Sequence, residues 1–168
     1  GKLLKGKTGA AAEVGHIPIS IEKNRKCTCG SWDCWEAYAS GTGYLITAKE
    51  IALKFFAERR EGILEKKAIE ELTNYDIIEG LKNNDPLSLE VHDLWENHLS
   101  MGIAALINIF EPDSLILSGG MAKFVNYDNL KSKTQERLVL ANTQLLPAKF
   151  DNFAGIIGSA YLAAEYYL

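Results

Sequence analysis

Four residues near the N-terminus have the side chains of a soft-metal site: His16, Cys27, Cys29 and Cys34. All three cysteines of the chain fall in this one turn-rich stretch. One imidazole and three thiolates fill a tetrahedral Cys₃His shell, the closed arrangement of structural zinc. The competing readings are cysteines used as small buried apolar residues and a redox pair. A redox pair is usually Cys-x-x-Cys, a spacing the chain lacks. An odd count, with Cys27 and Cys29 too close to bridge easily, also argues against a secreted disulfide scaffold. Thiolate coordination implies a reducing compartment, so the expected location is the cytoplasm.

Glu13 and Glu36 bracket these ligands in sequence. Two carboxylates and an imidazole can exchange hydrogen bonds with several hydroxyls, which suits a sugar. Taken without the metal loop they read as solvated surface glutamates. His16 can give one ring nitrogen to zinc and keep the other for a ligand or a supporting partner. His92 and His98 lie on a long helical segment and read as packing or surface residues. Lys23, Arg25 and Lys26 form a short basic run that reads as a solvated face.

A second feature is Leu115-Ile116-Leu117-Ser118-Gly119-Gly120. An apolar strand running into paired glycines lets a ligand approach the backbone closely, with helix N-terminal amides nearby. No Gly-Lys-Ser/Thr follows, so it is not a P-loop, and a plain tight turn is the alternative. A nucleic-acid zinc finger would need a basic helix after the ligands. Here Cys34 is followed by Trp-Glu-Ala-Tyr-Ala-Ser-Gly, and the net charge is −4.

The elements that must position these residues are legible from periodicity. Residues 1–20 read as extended, with partial alternation, and suggest a hairpin or two short strands, broken by Gly6, Gly9 and Pro18. Residues 22–36 form the metal loop, ending in a short helix from Trp35 to Ala39. A second helix carries Leu45, Ala48, Ile51, Ala52 and Phe55. Residues 58–85 are charged and read as a helical insertion of short surface helices over Lys66–Leu72 and Tyr75–Leu81. Asp85-Pro86 opens a long helix that stops before Pro112. Ser114–Ser118 reads as a buried strand, 128–142 as an amphipathic helix, Gln144–Phe150 as a strand and Ala154–Leu168 as a small-residue helix. Strands interleaved with helices give an α/β domain. With 168 residues and 47% hydrophobic content, one domain with a sizeable core is expected. No apolar run reaches membrane-spanning length, no polybasic patch suits a membrane, and no signal peptide is evident. The chain begins at Gly1 without Met, so a preceding segment is expected.

Gly1-Lys2-Leu3-Leu4-Lys5-Gly6, Gly9–His16, Cys27-x-Cys29-Gly30-x-x-x-Cys34-x-Glu36-Ala37-Tyr38-Ala39-Ser40-Gly41 and Leu117-Ser118-Gly119-Gly120 together resemble the ROK family of repressors and sugar kinases. The resemblance covers essentially the whole chain. It implies an actin-like, ribonuclease-H-like ATPase fold, of which this chain is the C-terminal lobe, with the N-terminal lobe absent from it. It further implies structural zinc on His16, Cys27, Cys29 and Cys34; sugar hydroxyls on Glu13, His16 and Glu36; and adenosine against Gly119 and Gly120. Gly41 and Thr42 would approach the nucleotide from a helix N-terminus.

The implied activity of the intact protein is phosphorylation of a hexose, glucose at its 6-hydroxyl first, by ATP with Mg²⁺. A homodimer is implied as well. The alternative is the sugar-sensing lobe of a ROK repressor, in which this lobe itself touches no nucleic acid. The family's Asp-x-Gly-x-Thr phosphate loop and Asn-Asp base motif do not occur in these residues. No catalytic residue is therefore assigned here, and the isolated chain is expected to be inactive. Ala12, Asp33 and Gly43 depart from the family pattern, and Asp33 is expected to alter the turn before Cys34.

Overall fold

The computed structural model describes residues 3–62, 67–140, 142–150 and 153–167. Its helices are α1 (Glu36–Ala39), α2 (Gly41–Ala57), α3 (Asn74–Lys82), α4 (Pro86–Phe110), α5 (Tyr127–Gln135) and α6 (Ala154–Tyr167). Its strands are β1 (Ser114–Leu117) and β2 (Gln144–Pro147).

Local chemistry sets the helix starts. Ser40 ends α1 in extended conformation, and its Oγ accepts the Gly43 N–H at 3.1 Å as the N-cap of α2. Thr73 and Asp76 form a capping box for α3, satisfying two orphan donors at once. Asp85 accepts the Ser88 N–H at 2.8 Å, and Pro86 occupies the first turn of α4, where its missing N–H costs nothing.

α4 is the spine. Its apolar stripe buries Leu87, Val91 and Trp95 against Tyr44, Ile51 and Phe55 of α2 and Ile77 of α3. Further along, Ile103 and Ile107 pack on Leu130 of α5 with Leu115, Leu117 and Leu145 beside them. The strands pair in parallel with Ser114 opposite Gln144 and Leu117 opposite Pro147. Parallel strands need a crossover, and α5 supplies it.

Several expectations change. Of the expected extended segment 1–20, residues 1 and 2 lie outside the described residues, and 3–20 contain no hairpin; among them the ladder contact is an isolated bridge from Pro18 to Cys34. Pro18 and the glycines break the alternation, so the chain pairs with the metal loop instead. Lys66–Leu72 is reduced to a 3₁₀ turn over Ile69–Glu71, with Lys66 outside the described residues. α3 is no surface helix: Ile77 and Ile78 sit in the main core, because its apolar residues recur at one face of a capped turn. β1 is covered on one face alone among the described residues, leaving Ile116 59% exposed. α5 ends at Gln135, where the apolar spacing fails, with Val139 and Leu140 exposed beyond it.

Candidate metal centre and adjoining cavities

The metal loop is zipped from both sides. Ile19 N–H donates to Asp33 O at 2.9 Å and Trp35 N–H to Ile17 O at 2.8 Å. Inside the loop, Cys27 N–H reaches Ser31 O at 2.9 Å and Asp33 N–H reaches Arg25 O at 2.8 Å. His16 ends a 3₁₀ turn, Val14–His16, which this pairing holds over the cysteines.

The result brings His16, Cys27, Cys29 and Cys34 together, with their ligand atoms all within 4.8 Å of one another. His16 Nδ1 lies 3.6 Å from Cys27 Sγ, and Cys29 Sγ lies 3.6 Å from Cys34 Sγ. A tetrahedral Zn²⁺ with Zn–S of about 2.3 Å separates its sulfurs by roughly 3.8 Å. The donor set and spacing therefore fit a metal such as zinc, and the sulfur separation is too long for a disulfide. The backbone N–H of Cys29, with help from neighbouring side chains, draws the Cys27 thiol down to about 6. Burial, reinforced by Cys29 and Cys27, pushes Cys34 up to about 12. A divalent cation among the four atoms would reverse the second effect, since a coordinating thiol is deprotonated outright.

Both predicted carboxylates converge on His16. Glu13 Oε2 is 3.8 Å from His16 Nε2 and Glu36 Oε2 is 3.9 Å from His16 Nδ1. Glu36 is placed by the first turn of α1. The Glu13 side chain is largely open to solvent and that of Glu36 about half open.

The loop is tied to the helices by two residues that the sequence reading misjudged. Arg25 is buried rather than solvated. Its guanidinium donates to Ala37 O at 3.1 Å, Gly43 O at 3.3 Å, Thr47 Oγ1 at 2.9 Å and Glu50 Oε2 at 2.5 Å, and it lies over the Tyr38 ring. A short run of like charges cannot reveal this; the folded position decides it. Asp33 adopts the left-handed conformation, φ 54°, which Asp tolerates better than most side chains. The turn survives because its carboxylate is buried and fully used. Asp33 Oδ1 accepts Arg25 N–H at 2.8 Å and the Tyr38 hydroxyl at 2.6 Å. That hydroxyl is the main reason the Asp33 carboxyl is held below its usual range. Ala12 is also left-handed, φ 69°, so two departures from the family pattern fall where glycine adopts the backbone freely.

Two cavities adjoin the N-terminus of α2. One, of about 540 Å³, is lined by Lys26, Thr28, Glu36, Gly41, Thr42 and Asn74 among others. Neither Glu13 nor His16 lines it. The second, about 240 Å³, lies between Ser40–Gly41 and Gly119–Gly120, with Trp95 and Leu99 of α4 as its floor. Gly119 has φ 105°, a conformation that side-chain-bearing residues rarely adopt. The strand-to-glycine motif thus opens onto a cavity. The helix that follows does not begin at the glycines: α5 starts at Tyr127 after a 3₁₀ turn over Ala122–Phe124. The α-helix start that lines the cavity is that of α2, at Gly41. His92 is buried, with Nε2 3.3 Å from Glu96, and His98 packs on Tyr38 with its pKa lowered to about 4 by burial. Neither joins the metal cluster.

A sequence model of the ROK family matches residues 1–166. A glucokinase from Streptomyces coelicolor is 32% identical over 176 residues, covering 98% of this chain and 54% of that protein. A xylose repressor from Bacillus spizizenii is 28% identical, covering 99% of this chain and 40% of that protein. The crystal structure of a ROK family glucokinase from Streptomyces griseus, in complex with glucose and AMPPNP, superposes with a TM-score of 0.84 at 28% identity, over 96% of this chain and 54% of that one. The fold is therefore the mixed helix-and-strand fold of ROK glucokinases, within the actin-like ATPase group. The chain spans about half the length of the curated glucokinases it matches. Among the described residues, no helix is long and apolar enough to cross a membrane.

Proposed function

The chain belongs to the ROK family, and from that premise we propose that it is the C-terminal lobe of an ATP-dependent hexose kinase, supplying zinc-braced sugar contacts and part of the nucleotide pocket. The observation that carries this reading is the convergence of Glu13 and Glu36 on His16, itself one of four clustered soft-metal ligands. Glucose at its 6-hydroxyl is the first candidate substrate.

His16, Cys27, Cys29 and Cys34 would hold zinc, which with four protein ligands supplies structure and no open position for catalysis. With Nδ1 toward Cys27 Sγ and Glu36, His16 keeps Nε2, on the Glu13 side, for a hydroxyl, and the Glu13 and Glu36 carboxylates accept hydrogen bonds from further hydroxyls. Gly119 and Gly120 would bear on the adenosine of ATP, and Gly41 and Thr42, at the start of α2, would approach the nucleotide. The phosphate loop and the base that phosphoryl transfer requires are not among these residues, so the isolated chain should not turn over. The reading extends to a reducing compartment and a homodimer.

Coupled measurement of ADP release by the full-length protein, with glucose, mannose, N-acetylmannosamine and fructose in turn, tests the proposal. Hexose-dependent release supports it, and turnover by these 168 residues alone would contradict the assignment of the base elsewhere. The similarity to a xylose repressor at 28% identity favours a second reading, a sugar-sensing lobe. Sugar binding without any ADP release, together with sugar-dependent operator binding by the full-length protein, would select it.

A further inference from the structure

The cavity between Ser40–Gly41 and Gly119–Gly120 has two walls, and consecutive residues of α4 hold them. The Trp95 indole N–H donates to Ala39 O at 2.8 Å, one residue before Ser40. The Glu96 carboxylate accepts the Asn126 N–H at 2.6 Å on Oε1 and the Asn129 Nδ2–H at 2.5 Å on Oε2. Asn126 closes the segment that starts at Gly119 and caps α5. Residues one apart on a helix point about 100° apart. A single turn of α4 can thus reach the α1–α2 junction with one side chain and the start of α5 with the next.

Glu96 is fully buried. A carboxylate in that position is costly unless its hydrogen bonds are made, and an apolar residue would fill the core more cheaply. His92 Nε2 stands 3.3 Å from Oε1, and Tyr44 OH lies 3.4 Å from His92 Nδ1. The carboxylate is therefore met by α5, by the segment before it and by its own helix, with α2 behind. Negative charge at a helix start is also favourable.

We infer that Glu96 is a positioning residue of this cavity: it fixes the Gly119–Val125 segment against α4 and, with Trp95, sets the gap between the two walls. The inference rests on reading the cavity as the adenosine site, and its ligand class is an adenine nucleotide.

The test uses the full-length protein with Glu96→Ala, Glu96→Gln and Asn129→Ala. Two readouts are taken: amide hydrogen exchange by mass spectrometry, and the affinity for AMPPNP by calorimetry. In Glu96→Ala, exchange over residues 119–126 should accelerate about tenfold or more and AMPPNP affinity should fall about tenfold, the loss of a buried charge-assisted contact. Exchange over residues 16–36, zinc content and hexose affinity should not change. Glu96→Gln, which keeps an acceptor for the Asn126 N–H, should recover most of the affinity. Asn129→Ala should lie between, and these two variants decide the matter if Glu96→Ala does not fold. Unchanged exchange over 119–126, or equal loosening of 16–36, would overturn the inference. If the parent protein binds no AMPPNP, the nucleotide reading of the cavity falls, while exchange over 119–126 still decides whether Glu96 clamps the segment.

Discussion

The metal loop, which leads into α1, and the glycine cavity, which borders the α1–α2 junction, are built on opposite principles. The loop gathers its chemistry from side chains close in sequence: one imidazole, three thiols and the carboxylates of Glu13 and Glu36, within 24 residues. Its backbone is irregular and is held by the zipped pairs, by Asp33 and by Arg25. The cavity offers almost no side-chain chemistry. Its walls are glycine backbone and a helix start, and their spacing comes from Trp95 and Glu96 on a helix that contributes mostly bulk. A site made of reactive side chains can be loosened by removing one ligand. A site made of backbone can be loosened only by changing what holds the backbone.

That contrast is sharpened most by Cys34→Ser. Structural Cys/His sites hold Zn²⁺ with an apparent free energy of about 10 kcal/mol or more, and Cys34 is a buried member of the cluster. The variant should lose its metal by elemental analysis and exchange amides rapidly through residues 16–34, with the glycine cavity unaffected. Retention of a full equivalent of metal would break the comparison on the loop side.

The same contrast explains what could be read from the sequence. The metal cluster was legible because Cys and His carry their chemistry in their identity, and the long helix because Asp85-Pro86 and an unbroken apolar stripe announce it. Arg25 was not, since nothing in Lys-Asn-Arg-Lys says which cation will be folded inward among carbonyls. Asp33 stood out as unusual, but its role depends on a left-handed turn and on Tyr38, five residues away. Glu96 was silent, because a buried acid on a helix looks like a solvated one until the helix is packed. The expected strands of residues 3–20 failed for a related reason: alternation makes a strand only where a partner edge exists.

Arg25→Ala ranks next. Breaking a buried, multiply bonded charge costs about 3 kcal/mol or more, to be read as a lowered midpoint in chemical denaturation. Arg25→Lys should recover little, since a single ammonium cannot span Thr47, Glu50 and two carbonyls. Recovery to the parent value would mean that charge, and not the forked geometry, holds the loop.

Gly119→Ala probes the cavity side. Space is available for its Cβ, so the expected cost is the backbone strain alone, about 1 kcal/mol, with weakened AMPPNP binding and unchanged metal content. An equal loss of metal would show that the two regions are not independent.

The smallest effect is expected at Asp76, which caps α3 and is held below the usual carboxylate range chiefly by Lys67 and then by Thr73. Because the folded value is depressed, its stabilisation is present above the unfolded value near about 4 and is lost as pH falls through the lower folded value. Asp76→Asn should therefore flatten the acid limb of a thermal-stability profile by under about 1 kcal/mol, with no effect on metal content. An unaltered acid limb would remove Asp76 from the account of how α3 is anchored.

The central claim is that the metal cluster holds Glu13, His16 and Glu36, the proposed sugar contacts, in place. Glucose affinity of the full-length protein, measured by calorimetry before and after zinc is stripped by a chelator and again after zinc is restored, tests it most directly. The account predicts a loss of about tenfold or more in the stripped protein, the scale seen when groups orienting a site are removed, and recovery with zinc. Unchanged glucose affinity in zinc-free protein would contradict it.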